Sequence, residues 1–267
     1  MKSLIASVAL IVCFSCNVLF AQSIITDRPD QTESSFIVPD NHWQFEMGFS
    51  RTSSTNIMTY KYEWSTPSIL VRYAVNDFFE LRMAPDFGFY QTEDGKVFAE
   101  NFFMRSNEVG FKVKLAEEKK CIPQTAFIFH MPLHWFTNEY SPPTPEVRLT
   151  FSHSLSDRIS LGYNLGMEWL EDEYYWGGHI HPNYIFTLTS GISLTEKLSV
   201  FIETFGTFNG YDGEQYFTNF DGGFTYLLRD NMQLDLSGGW GFYDYRFGNE
   251  HWQNYFLSLG FSFRVPD

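Results

Sequence analysis

The chain has 267 residues and a formal net charge of −14, from 18 Lys+Arg against 32 Asp+Glu. Such an acidic balance argues against nucleic acid as a partner. Aromatic residues make up 19% of the chain, yet the mean hydropathy is −0.22 and no stretch after residue 21 approaches the ~18 unbroken apolar residues of a membrane helix.

Lys2, an apolar run from Leu4 to Phe20 and the small Ala21 predict a secretory signal peptide over 1–21. Cys13 and Cys16 fall inside it, which leaves Cys121 with no intrachain partner. Residues 22–41 read as a polar periplasmic N-terminal segment centred on Thr26-Asp27-Arg28-Pro29-Asp30-Gln31-Thr32-Glu33. From residue 42 to 267 apolar and polar residues alternate in stretches of about ten, the period of a strand with one greasy and one polar face. The predicted strands are 42–50, 66–75, 78–89, 105–116, 122–133, 145–155, 158–170, 179–194, 197–208, 217–228, 231–243 and 252–264. The last pair is plainest: Leu234, Leu236 and Trp240 oppose Gln233, Asp235 and Ser237, and Leu257, Leu259 and Phe261 oppose Ser258, Gly260 and Ser262.

The connections alternate between tight polar turns (Asn76-Asp77, Glu117-Glu118-Lys119-Lys120, Ser156-Asp157, Thr195-Glu196, Arg229-Asp230) and longer links over 51–65, 90–104, 134–144, 171–178, 209–216 and 244–251. Short periplasmic turns and longer extracellular loops predict an all-β fold, a transmembrane antiparallel up-and-down β-barrel of about twelve strands. Trp43, Trp169, Trp176, Trp240 and Trp252 then read as anchors at the membrane interfaces.

The sequence also resembles a family of bacterial outer-membrane proteins grouped under the "MetA pathway of phenol degradation". The resemblance rests on Thr26-Asp27-Arg28-Pro29-Asp30-Gln31-Thr32-Glu33-Ser34, Gln44-Phe45-Glu46-Met47-Gly48-Phe49, Pro67-Ser68-Ile69-Leu70-Val71-Arg72-Tyr73, Glu80-Leu81-Arg82 and Phe201-Ile202-Glu203. It continues through Asp221-Gly222-Gly223-Phe224-Thr225-Tyr226, Gln233-Leu234-Asp235-Leu236-Ser237 and Gly260-Phe261-Ser262-Phe263-Arg264. It implies an outer-membrane barrel with a transport role linked to aromatic compounds.

Parity turns Arg72, Glu80, Arg82, Asp86, Glu108, Lys112, Lys114, Glu146, Arg148, Glu168, Glu203, Asp221, Asp235 and Arg264 into the lumen, because Arg or Lys on the lipid face at the midplane costs about 2–4 kcal/mol. Both signs occur, which predicts a paired network; it could rivet the barrel or line a narrow polar path. Asp27, Arg28, Pro29, Asp30, Gln31 and Glu33 are candidates for a plug that enters the barrel mouth and pairs with Arg82, Lys112 and Arg264. Phe201, Phe205 and Phe256 share the lumen parity and offer contacts to an aromatic solute.

Catalytic and metal chemistry find little support. His153 lies among Ser152, Ser154 and Ser156 but on the opposite face. His179 and His181 share a face near Glu171, Asp172 and Glu173 without a third ligand fixed by the sequence, and His130 and His134 lie ~13 Å apart on a strand. The acidic loops around Asp212, Glu214, Asp244 and Glu250 could bridge to lipopolysaccharide through divalent ions. The reading is a monomeric, cofactor-free channel or passive transporter for small, hydrophobic or aromatic solutes, in contact with outer-membrane lipid and lipopolysaccharide. A closed barrel with a structural or surface-binding role and a lipid hydrolase are the alternatives.

Overall fold

The computed structural model describes residues 23–55, 60–92, 103–133, 144–172, 179–209, 216–245 and 250–266. Twelve antiparallel strands form a closed barrel in sequence order, with β1 (Trp43–Thr55) paired to both β2 (Tyr60–Asn76) and β12 (Glu250–Val265). Between them run β3 (Phe79–Thr92), β4 (Phe103–Ala116), β5 (Gln124–Pro132), β6 (Glu146–Ser154), β7 (Ile159–Asp172), β8 (His179–Ser193), β9 (Leu198–Asn209), β10 (Tyr216–Arg229) and β11 (Met232–Tyr245). Closure removes the unpaired edges that lipid would not tolerate.

The faces are inverted relative to a water-soluble protein. Ile202 (68% exposed), Leu257 (61%) and Leu165 (58%) point outward, whereas Arg72, Lys112, Glu80 and Glu46 are each 0% exposed in the interior. Outward Trp43 rests on Tyr73 with ring centroids 4.4 Å apart at the end bearing the tight turns. A hollow of about 910 Å³ beside Gly238 is lined by Phe49, Trp64, Leu236, Trp240 and Leu257, together with the polar Arg51, Ser50 and Thr66.

Two strands reach further than their alternation suggested. The stretch 51–65 is mostly ladder, since β1 runs to Thr55 and β2 starts at Tyr60. Ser53 pairs with Tyr62 and Arg51 with Trp64. The Arg51 guanidinium lies 4.2 Å from the Tyr62 ring centroid and 5.4 Å from that of Trp64, so cross-strand stacking holds a part that is polar on both faces. The Glu117–Pro123 link holds a small bridge between Lys119 and Ile122, with Lys120 in the left-handed region at φ 56°.

Residues 23–42 run inside the barrel with no regular secondary structure. The chain leaves the lumen at Pro39–His42, where His42 donates to the Pro39 carbonyl and Asn41, at φ 57°, donates to the Ala74 carbonyl. Asn tolerates this left-handed conformation better than most residues. Ile24 and Val38 are buried at 4% and 3% exposure, and they account for some of the few apolar contacts in the interior, with Ala74, Ala126 and Ile128 at 0%.

Candidate functional site

An irregular backbone at membrane depth needs a partner for each polar group. Side chains from the wall supply many of them. Glu46 accepts the Asp27 and Arg28 amides at 2.9 and 3.1 Å, Glu203 the Gln31 amide at 2.7 Å, Asn164 the Glu33 amide at 2.7 Å and Glu80 the Val38 amide at 3.0 Å. In the other direction, Gln44 donates to the Ile25 carbonyl, Lys112 to that of Ser34, Arg72 to that of Phe36 and Asn164 to that of Glu33. The wall thus replaces the neighbouring strand that the segment lacks.

Ion pairs fix one side of the segment. The Asp27 carboxylate lies 2.7 Å from Arg82, 3.0 Å from Lys112 and 3.4 Å from Arg72, and its Oδ1 also accepts the Ser34 amide. Arg72 is held in turn by Glu80 and Glu46, and Arg82 by Glu33 at 2.6 Å. Burial opposes ionisation of Asp27, but Arg72, Lys112 and Arg82 outweigh it and hold the carboxyl well below the usual range.

The other side is held by fewer contacts. Arg28 reaches Asp235 at 3.2 Å and Ser258 at 2.8 Å, and the Thr32 hydroxyl donates to Glu203 and accepts from the Thr187 hydroxyl. Gly48 and Gly260 face each other across the β1–β12 pairing, and a Cβ on either would overlap the Arg28 side chain. These two glycines form a slot for the guanidinium.

The remaining lumen charges sit in other surroundings. Asp86 accepts a hydrogen bond from Ser65. Glu146 and Arg148 pair with each other, and Glu168 accepts from Asn183. Lys114 lies near the tight-turn end and pairs with Glu117 at 3.0 Å. Arg264 is buried at the same end, where its backbone bonds with Asn231 in both directions. Asp221 lies directly opposite Glu203 on neighbouring strands.

One group could hold a metal among the described residues: Glu33, His130 and Glu146. His130 Nδ1 lies 3.8 Å from Glu146 and 4.0 Å from Glu33 and Glu108, while Arg82 donates to Nε2 at 3.1 Å. That donation uses the free lone pair of a neutral imidazole, so the proton sits on Nδ1 and faces the carboxylates. With Arg82 on Glu33 and Arg148 on Glu146, the donor atoms already serve a charge network. His153 stacks on Tyr163 with centroids 6.2 Å apart, and its Nδ1 is 3.9 Å from Glu118. His179, Trp176, Trp252 and the acidic loop residues Asp212, Glu214, Asp244 and Glu250 fall outside the residues whose side chains are described.

Parity did not bring out Gln44, Glu46, Asn164 and His130 as partners of the segment. Gln44 and Glu46 share the lumen parity of Gly48, so their placement was readable; their choice of partner was not.

Two cavities flank the segment. One, of about 510 Å³, is lined by Phe205, Phe256, Asp86, Asn219, Arg28 and Pro29, among others. The other, of about 230 Å³ nearer the tight turns, is lined by Phe201, Thr225, Gln233, Arg28, Pro29 and Asp30, among others. Arg28 and Pro29 border both.

A closed antiparallel barrel with a charged, hydrogen-bonded interior and an apolar outside defines a transmembrane β-barrel of the outer-membrane type. Residues 26–265 match the family described as "Putative MetA-pathway of phenol degradation", and the chain belongs to that family. Among curated proteins none matches the sequence. Similar solved structures include the COG4313 outer membrane channel from Pseudomonas putida F1, with TM-score 0.67 and 11% identity over 87% of this chain and 98% of that one. The NanC porin gives TM-score 0.55 and 8% identity over 81% and 98% of the two chains. The transport unit of the autotransporter AIDA-I from Escherichia coli gives 0.50 and 12% over 92% and 94%. At such identities the likeness is one of fold.

Proposed function

We propose that this protein is an outer-membrane channel that passes small solutes down their gradient, with the N-terminal segment as an internal plug that narrows the lumen. The observation that carries the reading is the pair of cavities on either side of the Arg28–Pro29–Asp30 stretch, inside a barrel whose interior is polar. Eight strands are filled by their own side chains and sixteen leave a channel, so twelve leave room for a peptide and a narrow path beside it. Phe201, Phe205 and Phe256 at the cavity walls, together with the family's association with phenol degradation, support solutes with an apolar or aromatic body. Export would use the signal peptide over residues 1–21.

The test is planar-bilayer recording of residues 22–267 beside a version lacking 22–40. Current from the full protein establishes the path. Silence from the full protein with current from the truncation makes the segment a complete plug. Silence from both sinks the channel reading in favour of a closed structural or surface-binding barrel.

A further inference from the structure

The two cavities share a wall, and its composition is specific. Along β9 and β10 the lumen-facing pairs form successive layers: Phe205 opposite Asn219, then Glu203 opposite Asp221, then Phe201 opposite Gly223. The first layer borders the larger cavity, and Phe201 with Thr225 borders the smaller. Glu203 and Asp221 therefore occupy the level between the cavities, where the segment contributes Pro29 and Asp30.

The charge at this level is one-sided. Asp221 is only 9% exposed, and its buried carboxylate oxygens meet no N–H or hydroxyl donor among the described residues; their polar neighbour is the carboxyl of Glu203 opposite. Glu203 spends its oxygens on the Gln31 amide and the Thr32 hydroxyl, neither of them a cation. Burial pushes the Asp30 carboxyl well above its ordinary range, and the Glu203 and Asp221 carboxylates push the same way. The nearby guanidinium of Arg28 is drawn off to Asp235 and Ser258. Across the lumen the reverse holds, since Arg72, Arg82 and Lys112 are each matched to carboxylates. A buried pair of facing carboxyls with no cation beside it either holds a proton between the two groups or takes up a positive partner.

We propose that Asp221, Glu203 and Asp30 form a cation site in the septum between the two cavities, and that it selects small organic cations, such as protonated amines with an apolar body. The carboxylates take the ammonium group, while Phe205 above and Phe201 below supply apolar walls for its body. The Phe201 ring occupies the space left by the missing side chain of Gly223. This rests on the channel reading and deepens it by naming the solute class.

The test reads the local potential and does not depend on conduction. In the refolded exported protein carrying Cys121→Ser, Phe205→Cys is modified with trimethylammonium-ethyl or sulfonatoethyl methanethiosulfonate over about pH 7 to 9.5, with the comparison read at the upper end because burial raises the Asp30 carboxyl. The cationic reagent is expected to react about tenfold faster or more, with the ratio falling several-fold in Asp221→Asn and in Glu203→Gln. Phe201→Cys repeats the measurement from below should Phe205→Cys not refold. Equal rates, a faster anionic reagent, a ratio indifferent to both substitutions, or no access for either reagent would each overturn the site. A silent bilayer with a charge-dependent ratio would refute the channel but keep the site; a conducting bilayer with equal rates would do the opposite.

Discussion

Asp27 is the point at which the segment is most strongly fixed, and Asp27→Asn measures how strongly. The substitution keeps the shape but removes the charge facing Arg82, Lys112 and Arg72. Arg72 retains Glu46 and Glu80, and Arg82 retains Glu33 and Glu80. Lys112, by contrast, loses its closest carboxylate and keeps the Ser34 carbonyl at 2.7 Å. Removing one partner of a buried ion pair costs about 3–5 kcal/mol, and because two of the three cations remain paired the lower end applies. At 1.36 kcal/mol per decade, about 3 kcal/mol shifts the docking equilibrium roughly a hundredfold. The barrel ladders do not pass through Asp27, so the loss falls on docking. Hydrogen exchange of the peptide spanning 26–34 should accelerate by about that factor, while exchange in β9–β12 stays unchanged. Asp27→Asn combined with Lys112→Met should recover much of the protection, because it removes the stranded charge as well. Unchanged exchange in the single variant, with the barrel folded, would refute the ion-pair account of docking.

The pH response of docking should combine two opposite signs. Asp27 is held below its unfolded pKa of about 3.9, so its contribution is complete above that value and is lost only as pH falls through the lower docked value. Asp30 is raised when docked, so docking strengthens as pH falls from the raised value toward about 3.9. Protection of 26–34 should therefore rise between neutral pH and about 4, and Asp30→Asn should abolish the rise; a fall over that range in the native sequence would contradict it. Gly48→Val places a side chain on the Arg28 guanidinium, at an overpacking cost of about 1–3 kcal/mol, and bilayer recordings should show larger or noisier current than the native protein. Ile202→Arg, on the lipid face at 68% exposure, should lower stability by about 2–4 kcal/mol in vesicle-based denaturant titrations, with no effect expected from Ile202→Leu.

The barrel was legible because period-2 alternation directly reports which face meets lipid. Leu234, Leu236 and Trp240 set against Gln233, Asp235 and Ser237 suffice to assign β11. Strand ends were harder to read. Beyond the membrane both faces turn polar, as in Arg51–Thr55, and the ladder continues on stacking that alternation does not record. β5 is harder for the opposite reason: Ala126 and Ile128 face inward against Phe127 and Phe129, so both faces are apolar. Within the site, parity could name Glu203 and Asp221 as lumen residues, but not that their level separates two cavities. That depends on where an irregular peptide comes to rest, and no local periodicity encodes it.

Arg28 has one further consequence, for the order of assembly. Its slot is made by Gly48 of the first strand and Gly260 of the last, and its acceptors Asp235 and Ser258 lie 207 and 230 residues away in sequence. The two-sided slot is complete only once the seam between the chain's two terminal strands has closed. Docking of the guanidinium is therefore a late event, contingent on circularisation, and a folding intermediate with an open seam would leave its N-terminal peptide accessible to protease.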